Sequence, residues 1–179
     1  MRITPMKGLT VEQRLRRVED AEAIQSLKAF YAHCADSKYT EDHRRKSPEE
    51  IDALTRRQVE VFTEDGIWDG GPQFGLCRGR EEIYRHLRAT GWSFALHYFM
   101  SPAIDLQGDT AHASWMLWQP CTLTEGNRAM LMSAITEDDY VRTPEGWRMS
   151  RMLFTLKFIT PVNESWATRG NAPLDPWSR

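Results

Sequence analysis

The chain has 179 residues, 41% of them hydrophobic, and a formal net charge of −2. This length suits one domain with a sizeable core. Charges of both signs are interspersed, so no basic stripe speaks for a nucleic-acid partner. No apolar run reaches the ~18 residues of a membrane span. The N-terminal MRITPMKGLTVEQRLRR lacks an apolar signal core, so a cytoplasmic protein is expected.

Residues 9–36 read as one long helix. Thr10 caps it, with Gln13 completing a capping box. Val11, Leu15, Val18, Ile24, Leu27, Tyr31 and Cys34 recur mostly at three- and four-residue steps, predicting one apolar stripe. The charged stretch Ser37 to Ser47 reads as a loop. Pro48 suits the first turn of a second helix, running to about Phe62 with Ile51, Leu54, Val59 and Phe62 inward. Asp65-Gly66 and Asp69-Gly70-Gly71-Pro72 are turn signals around a short strand at Ile67-Trp68. A third helix fits Arg80 to Thr90, with Ile83, Tyr84 and Leu87 on its apolar face.

The periodicity then changes. Phe94 to Ile104 is apolar and rich in aromatic residues, and Asp105 to Asp109 is a hairpin turn. Thr110 to Leu123, Arg128 to Val141 and Trp147 to Thr160 read as strands joined by short turns. The tail from Pro161 reads as irregular. Helices first and a four-stranded antiparallel meander afterwards predict an α+β domain. A curved sheet would wrap the helices into a half-barrel and leave a cavity against the first helix. The whole chain, 1–179, reads as this one domain, with its core at about residues 10–162.

The three cysteines, Cys34, Cys77 and Cys121, have no CxxC spacing, and buried free thiols are expected. The seven Trp suit a pocket for aromatic or lipid-like molecules as well as ordinary core packing. No histidine–carboxylate cluster has metal-ligand spacing, so neither metal nor cofactor is expected. Asp36 closes the first helix, and His97 lies 61 positions later in the apolar run. A carboxylate that orients a neutral imidazole makes a base working near pH 7. The alternative for His97 is a core histidine satisfied by a backbone carbonyl. His33 reads as packed or solvent-facing; His43, His86 and His112 read as surface residues.

The blocks AIQSLKAFYAHCAD (23–36), FTEDGIWDGG (62–71), GREEIY (79–84), ALHYFMSPAI (95–104), GDTAHASWMLW (108–118) and GWRMSRM (146–152) resemble the SnoaL-like branch of the NTF2-like superfamily. The likeness covers about residues 10–162 and implies the cone-shaped α+β half-barrel, with N-terminal helices packed on a curved antiparallel sheet. Within the family it is similar to cofactor-free lyases: scytalone dehydratase, bile-acid 7α-dehydratase and hexachlorocyclohexane dehydrochlorinase. The resemblance implies a dyad of Asp36 and His97, with Tyr31 at the helix position that carries a Tyr in the bile-acid enzyme. Residues five apart on a helix lie about 140° apart, so Tyr31 and Asp36 share a pocket only if the helix ends or distorts between them. A further Asp of the bile-acid enzyme is Gln119 here, its late Arg is Leu156, and the dehydrochlorinase Arg is Met152. Met152, Phe154 and Leu156 alternate onto one side of the last strand, implying an apolar wall that disfavours charged substrates.

These features predict a cofactor-independent lyase or dehydratase acting on a hydrophobic aromatic or polycyclic alcohol, steroid-like or a lignin-type aryl dimer, with loss of water or formaldehyde. Tyr31, Asp36 and His97 would be catalytic; Phe62, Trp68, Trp115, Gln119, Met152, Phe154 and Leu156 would bind substrate. A ketosteroid-like isomerase or polyketide cyclase, and a non-catalytic ligand- or partner-binding module, are the alternatives. Met116 and Trp118, or Met130 and Met132, must face away from the cavity, which predicts a homo-oligomer, dimer or trimer.

Overall fold

A computed structural model of the chain describes residues 8–163; the expected irregular C-terminal tail lies almost wholly outside the described residues. Helix α1 runs Val11–Asp36 and starts with the expected capping box: Gln13 N–H bonds the Thr10 hydroxyl, and the Gln13 side chain takes the Thr10 N–H. Helix α2 spans Pro48–Val59, with Pro in its first turn and a second capping box between Ser47 and Glu50. It ends before Phe62, which instead opens strand β1, Phe62–Asp69. The short strand read at Ile67-Trp68 is therefore longer than its turn residues suggested. A single turn α3, Gly71–Phe74, and strand β2, Leu76–Arg78, follow and lead into α4, Gly79–Arg88.

The apolar run after α4 is split. Strand β3, Trp92–Ala95, and strand β4, Tyr98–Gln107, both pair with the same edge of β5, Thr110–Leu123. They flank Leu96 and His97. β6, Arg128–Thr143, and β7, Gly146–Pro161, complete the antiparallel meander. The seven-stranded sheet has the order β2-β1-β7-β6-β5-β3, with β4 also on β5. One pairing departs from the antiparallel expectation: β1 runs parallel to β7 and sets Trp68 beside Met152. The result is a curled, mixed half-barrel with the helices packed on it, an α+β cone.

The apolar stripe expected along α1 is only half buried. Val11, Leu15 and Val18 are exposed, whereas the buried face carries Asp20, Ile24, Lys28, Tyr31, Cys34 and Ala35. Two of these are charged, which is why hydrophobicity alone misplaced the face. Each has partners. Asp20 accepts from Arg142 Nη2 at 2.6 Å and from Trp147 Nε1 at 3.1 Å. Lys28 Nζ lies 2.7 Å from Asp138 Oδ2 and 3.0 Å from Thr136 Oγ1, with side chains 1% and 0% exposed for the ion pair. Met130 and Met132 pack into the core, while Met116 and Trp118 face out. All three cysteines are free and buried.

Candidate active site

His97 stands at the break between β3 and β4. The preceding residue, Leu96, gives its N–H to Pro120 O across the edge. At His97 the backbone N–H leaves the ladder and donates to the Asp36 carboxylate, 3.1 Å and 3.2 Å from its two oxygens. The ring Nδ1 lies 2.6 Å from Asp36 Oδ1. In a neutral imidazole a carboxylate partner favours the proton on Nδ1 and the lone pair on Nε2. Asp36 therefore fixes both the loop and the tautomer of the imidazole.

α1 continues undistorted through Asp36, and Ser37 N–H closes on His33 O and Ala35 O. The separation around the helix axis consequently persists, and Tyr31 and Asp36 face different spaces. Tyr31 lines a small, partly open cavity of about 90 Å³. Asp36 lines an open groove of about 700 Å³ between α1 and β4. His97 and Phe99 border both, so the imidazole sits in the wall between cavity and groove. Phe99 stacks near His97, with centroids 6.3 Å apart, and meets the Tyr31 ring edge-on at 6.2 Å.

The cavity lies where two clusters of the core meet. Its walls are mostly apolar: Trp68, Phe74, Leu117, Met132, Met152 and Phe154. Burial pushes the Tyr31 phenol well above its usual range, so the hydroxyl stays protonated and available as a donor. Of the residues read as substrate-binding, Trp68, Gln119, Met152 and Phe154 line this cavity. Phe62 is fully buried in the core behind Tyr31, 6.1 Å from its ring. Trp115 borders the groove instead. Leu156 lies further along β7, beside a register shift, and packs half-buried against the second cluster.

Five polar cavity residues escaped the sequence reading: Lys38, Tyr39, Gln58, His86 and Thr90. His86 was read as a surface residue of the α4 helix, but it lies three positions after buried Ile83. It lines the cavity over the Trp68 ring at 4.3 Å, and burial lowers its basicity. Lys38, Tyr39 and Gln58 also line it. Lys38 and Tyr39 fall in the stretch that composition marked as loop, and no sequence signal distinguishes them from solvated neighbours. His43 and His112 are exposed, as expected, and His112 pairs with Asp139 at 2.8 Å. Among the described residues no group of three or more His, Cys, Asp or Glu could hold a metal ion, and no helix is long and apolar enough to cross a membrane.

Residues 52–153 match the SnoaL-like domain. An uncharacterized protein of Mycobacterium tuberculosis is 25% identical over 144 residues, which cover 79% of this chain and 88% of that protein. Among solved structures, the hexachlorocyclohexane dehydrochlorinase LinA-type3 from Novosphingobium barchaimii is 19% identical with a TM-score of 0.69, covering 85% of this chain and 96% of its own. A candidate scytalone dehydratase from Novosphingobium aromaticivorans is 17% identical with a TM-score of 0.65, covering 89% and 95%. An NTF2-like protein with a cystatin-like fold from Novosphingobium aromaticivorans is 27% identical with a TM-score of 0.56, covering 91% and 96%.

Proposed function

From the premise that the chain belongs to the SnoaL-like domain family, we propose that it is a cofactor-independent lyase that uses His97 as a general base on a hydrophobic aromatic or polycyclic alcohol. The observation that carries this reading is the 2.6 Å contact between His97 Nδ1 and Asp36 Oδ1, in a wall between a small, mostly apolar cavity and an open groove. Relatives of the same fold include a dehydrochlorinase, an elimination enzyme by name.

The proposed reaction is an elimination. His97 Nε2 takes a proton from the carbon next to the one bearing the hydroxyl. The C–H electrons form the new double bond as the C–O bond breaks. Asp36 stabilises the imidazolium, which returns the proton to the departing hydroxyl as water. Tyr31, held protonated, donates to the oxygen on which charge develops. In a lignin-type aryl dimer the same base would take the O–H proton of a CH2OH group; its C–C bond breaks to release formaldehyde, that electron pair forms the new double bond as the neighbouring C–O bond breaks, and the imidazolium gives the proton to the departing oxygen.

Size constrains the substrate. An apolar cavity of about 150 Å³ takes one benzene, so the roughly 90 Å³ here is less than one ring. A ring enters by displacing side chains, and a steroid-like or two-ring substrate must extend past Phe99 into the groove. The test is product mass spectrometry on a panel of aryl-dimer, steroid and small cyclic alcohols. Loss of water or formaldehyde supports a lyase; an unchanged mass with a shifted double bond makes the enzyme an isomerase. Asp36→Asn and His97→Ala should each lower turnover by about 10²–10⁴-fold, the usual worth of a general base. Parent-like turnover in both variants would remove the dyad from the chemistry.

A further inference from the structure

Among the described residues two lysines are almost fully buried, and they are held in opposite ways. Lys28 is 1% exposed and lies 2.7 Å from the Asp138 carboxylate, which sustains its charge. Lys38 is 3% exposed and stands just after α1. Its Nζ donates to Gln58 Oε1 at 2.6 Å, from α2, and to Leu87 O at 3.0 Å, from α4. Both acceptors are uncharged, and among the described residues no carboxylate forms an ion pair with Lys38.

A buried charge without a counter-charge is costly, and such a group tends to neutralise instead. The Lys38 site suits the neutral amine. That amine has two N–H groups and one lone pair. The two oxygens take both N–H groups and leave the lone pair over. Lys38, Gln58 and Leu87 all line the cavity that His97 borders, so the nitrogen fixed between the other two borders that space as well. Burial lowers the Lys38 ammonium to about 7; the Arg45 charge acts the same way and the Cys34 thiol opposes it. Desolvated lysine amines of this kind are nucleophiles toward a carbonyl carbon.

We infer that Lys38 is a covalent capture site for a short aliphatic aldehyde, which it binds reversibly as an imine. The nitrogen lone pair attacks the carbonyl carbon and forms the C–N bond. The C=O π pair moves to oxygen, which takes a proton from the nitrogen. The nitrogen lone pair then expels the hydroxyl and closes the C=N bond, and the departing hydroxide takes the second nitrogen proton to leave as water. Amine and aldehyde thus give imine and water, with nothing oxidised or reduced. Once protonated, the imine keeps one N–H for the oxygens that held the amine. The cavity of about 90 Å³ is smaller than the roughly 150 Å³ that takes one benzene. The carbon chain is therefore short, and the mostly apolar walls favour it unsubstituted. This capture makes no use of the His97 base and stands or falls without it.

The probe is propanal with sodium cyanoborohydride, which reduces an imine to a stable propylamine. It is applied to the full chain at pH 7 and stopped at low labelling, and peptide mass mapping reads the propyl group at each lysine. Lys157 is exposed and serves as the solvent reference; Lys28 is the buried, charge-paired reference. An ordinary lysine is neutral at pH 7 to about one part in a few thousand. An amine half neutral there has an advantage of about a thousandfold before access is counted, so Lys38 should carry at least about tenfold more label than Lys157. Lys28 should carry the least. Denaturing urea should bring Lys38 and Lys157 to parity. Benzaldehyde, too large for the cavity, should lose most of the preference for Lys38. Label at Lys38 no greater than at Lys157 in the folded chain, equal label at Lys28 and Lys38, a preference that survives urea, or one as strong with benzaldehyde would each overturn the site.

Discussion

Lys28→Met isolates the energetics of a deeply buried ion pair. Lys28 and Asp138 are 1% and 0% exposed and 2.7 Å apart. The Tyr140 hydroxyl donates to the same carboxylate oxygen at 2.9 Å, and the Lys28 Nζ also lies 4.0 Å from the centroid of the Phe99 ring. Burial presses both groups toward their neutral forms, lowering Lys28 and raising Asp138, and each holds the other's charge against that pressure. Removing the ammonium strands a buried carboxylate with only the Tyr140 and Thr136 hydroxyls beside it. Breaking such a pair from one side costs about 3–5 kcal/mol. With an unfolding entropy of about 2.1 cal/mol/K per residue near 60 °C, a chain of 179 residues should lose about 8–13 °C in Tm. The assay is thermal and urea unfolding at pH 7 and pH 5. An unpaired Asp138 has a folded-state pKa raised above its unfolded value. The folded state then binds the extra proton as pH falls, so the deficit should shrink at pH 5. The double variant Lys28→Met with Asp138→Leu should recover most of the loss, since an apolar pair of similar volume replaces a buried ion pair at little cost. A single-variant loss under about 1 kcal/mol, or a deficit equal at both pH values, would refute the account.

Further outcomes follow from other sites. Lys38→Met should stabilise the fold at neutral and lower pH. The folded pKa of about 7 lies below the ordinary 10.5, so the parent bears the full charge-burial penalty below pH 7 and loses it as pH rises toward 10.5. The variant's advantage, at most about 5 kcal/mol less the lost hydrogen bonds, should therefore fade between pH 7 and 10.5 in urea titrations. Gly70→Ala should destabilise by about 1–3 kcal/mol in the same titrations, because its Cβ would stand 2.5 Å from Trp68 and Phe74 atoms that wall the cavity. Tyr31→Phe should lower turnover less than either dyad variant, since it loses one donor and keeps the ring. Light scattering at micromolar concentration should find a dimer or trimer, because Tyr98, Met100, Met116 and Trp118 expose apolar surface on adjacent strands; a monomer would contradict this.

Local pattern determined a good deal of this protein. Thr10 as a cap and Pro48 as a first-turn residue placed the first two helix starts, because such starts are decided by side chains within a few residues. Alternation and turn residues placed β5, β6 and β7, and the order of helices and strands gave the α+β class. Asp36 and His97 were legible as a pair through their residue types and family positions. Tertiary structure decided what periodicity cannot carry. Which half of the α1 stripe is buried depended on Arg142, Trp147 and Asp138, 110 or more positions from their partners. The parallel placement of β1 on β7 depended on the curl of the sheet. The polar lining of the cavity depended most on folding. Lys38 and His86 read as solvated because nearby residues are charged, yet α2, α4 and the sheet close over them. Burial comes from the elements that converge on a position, and a single sequence records only what each element brings.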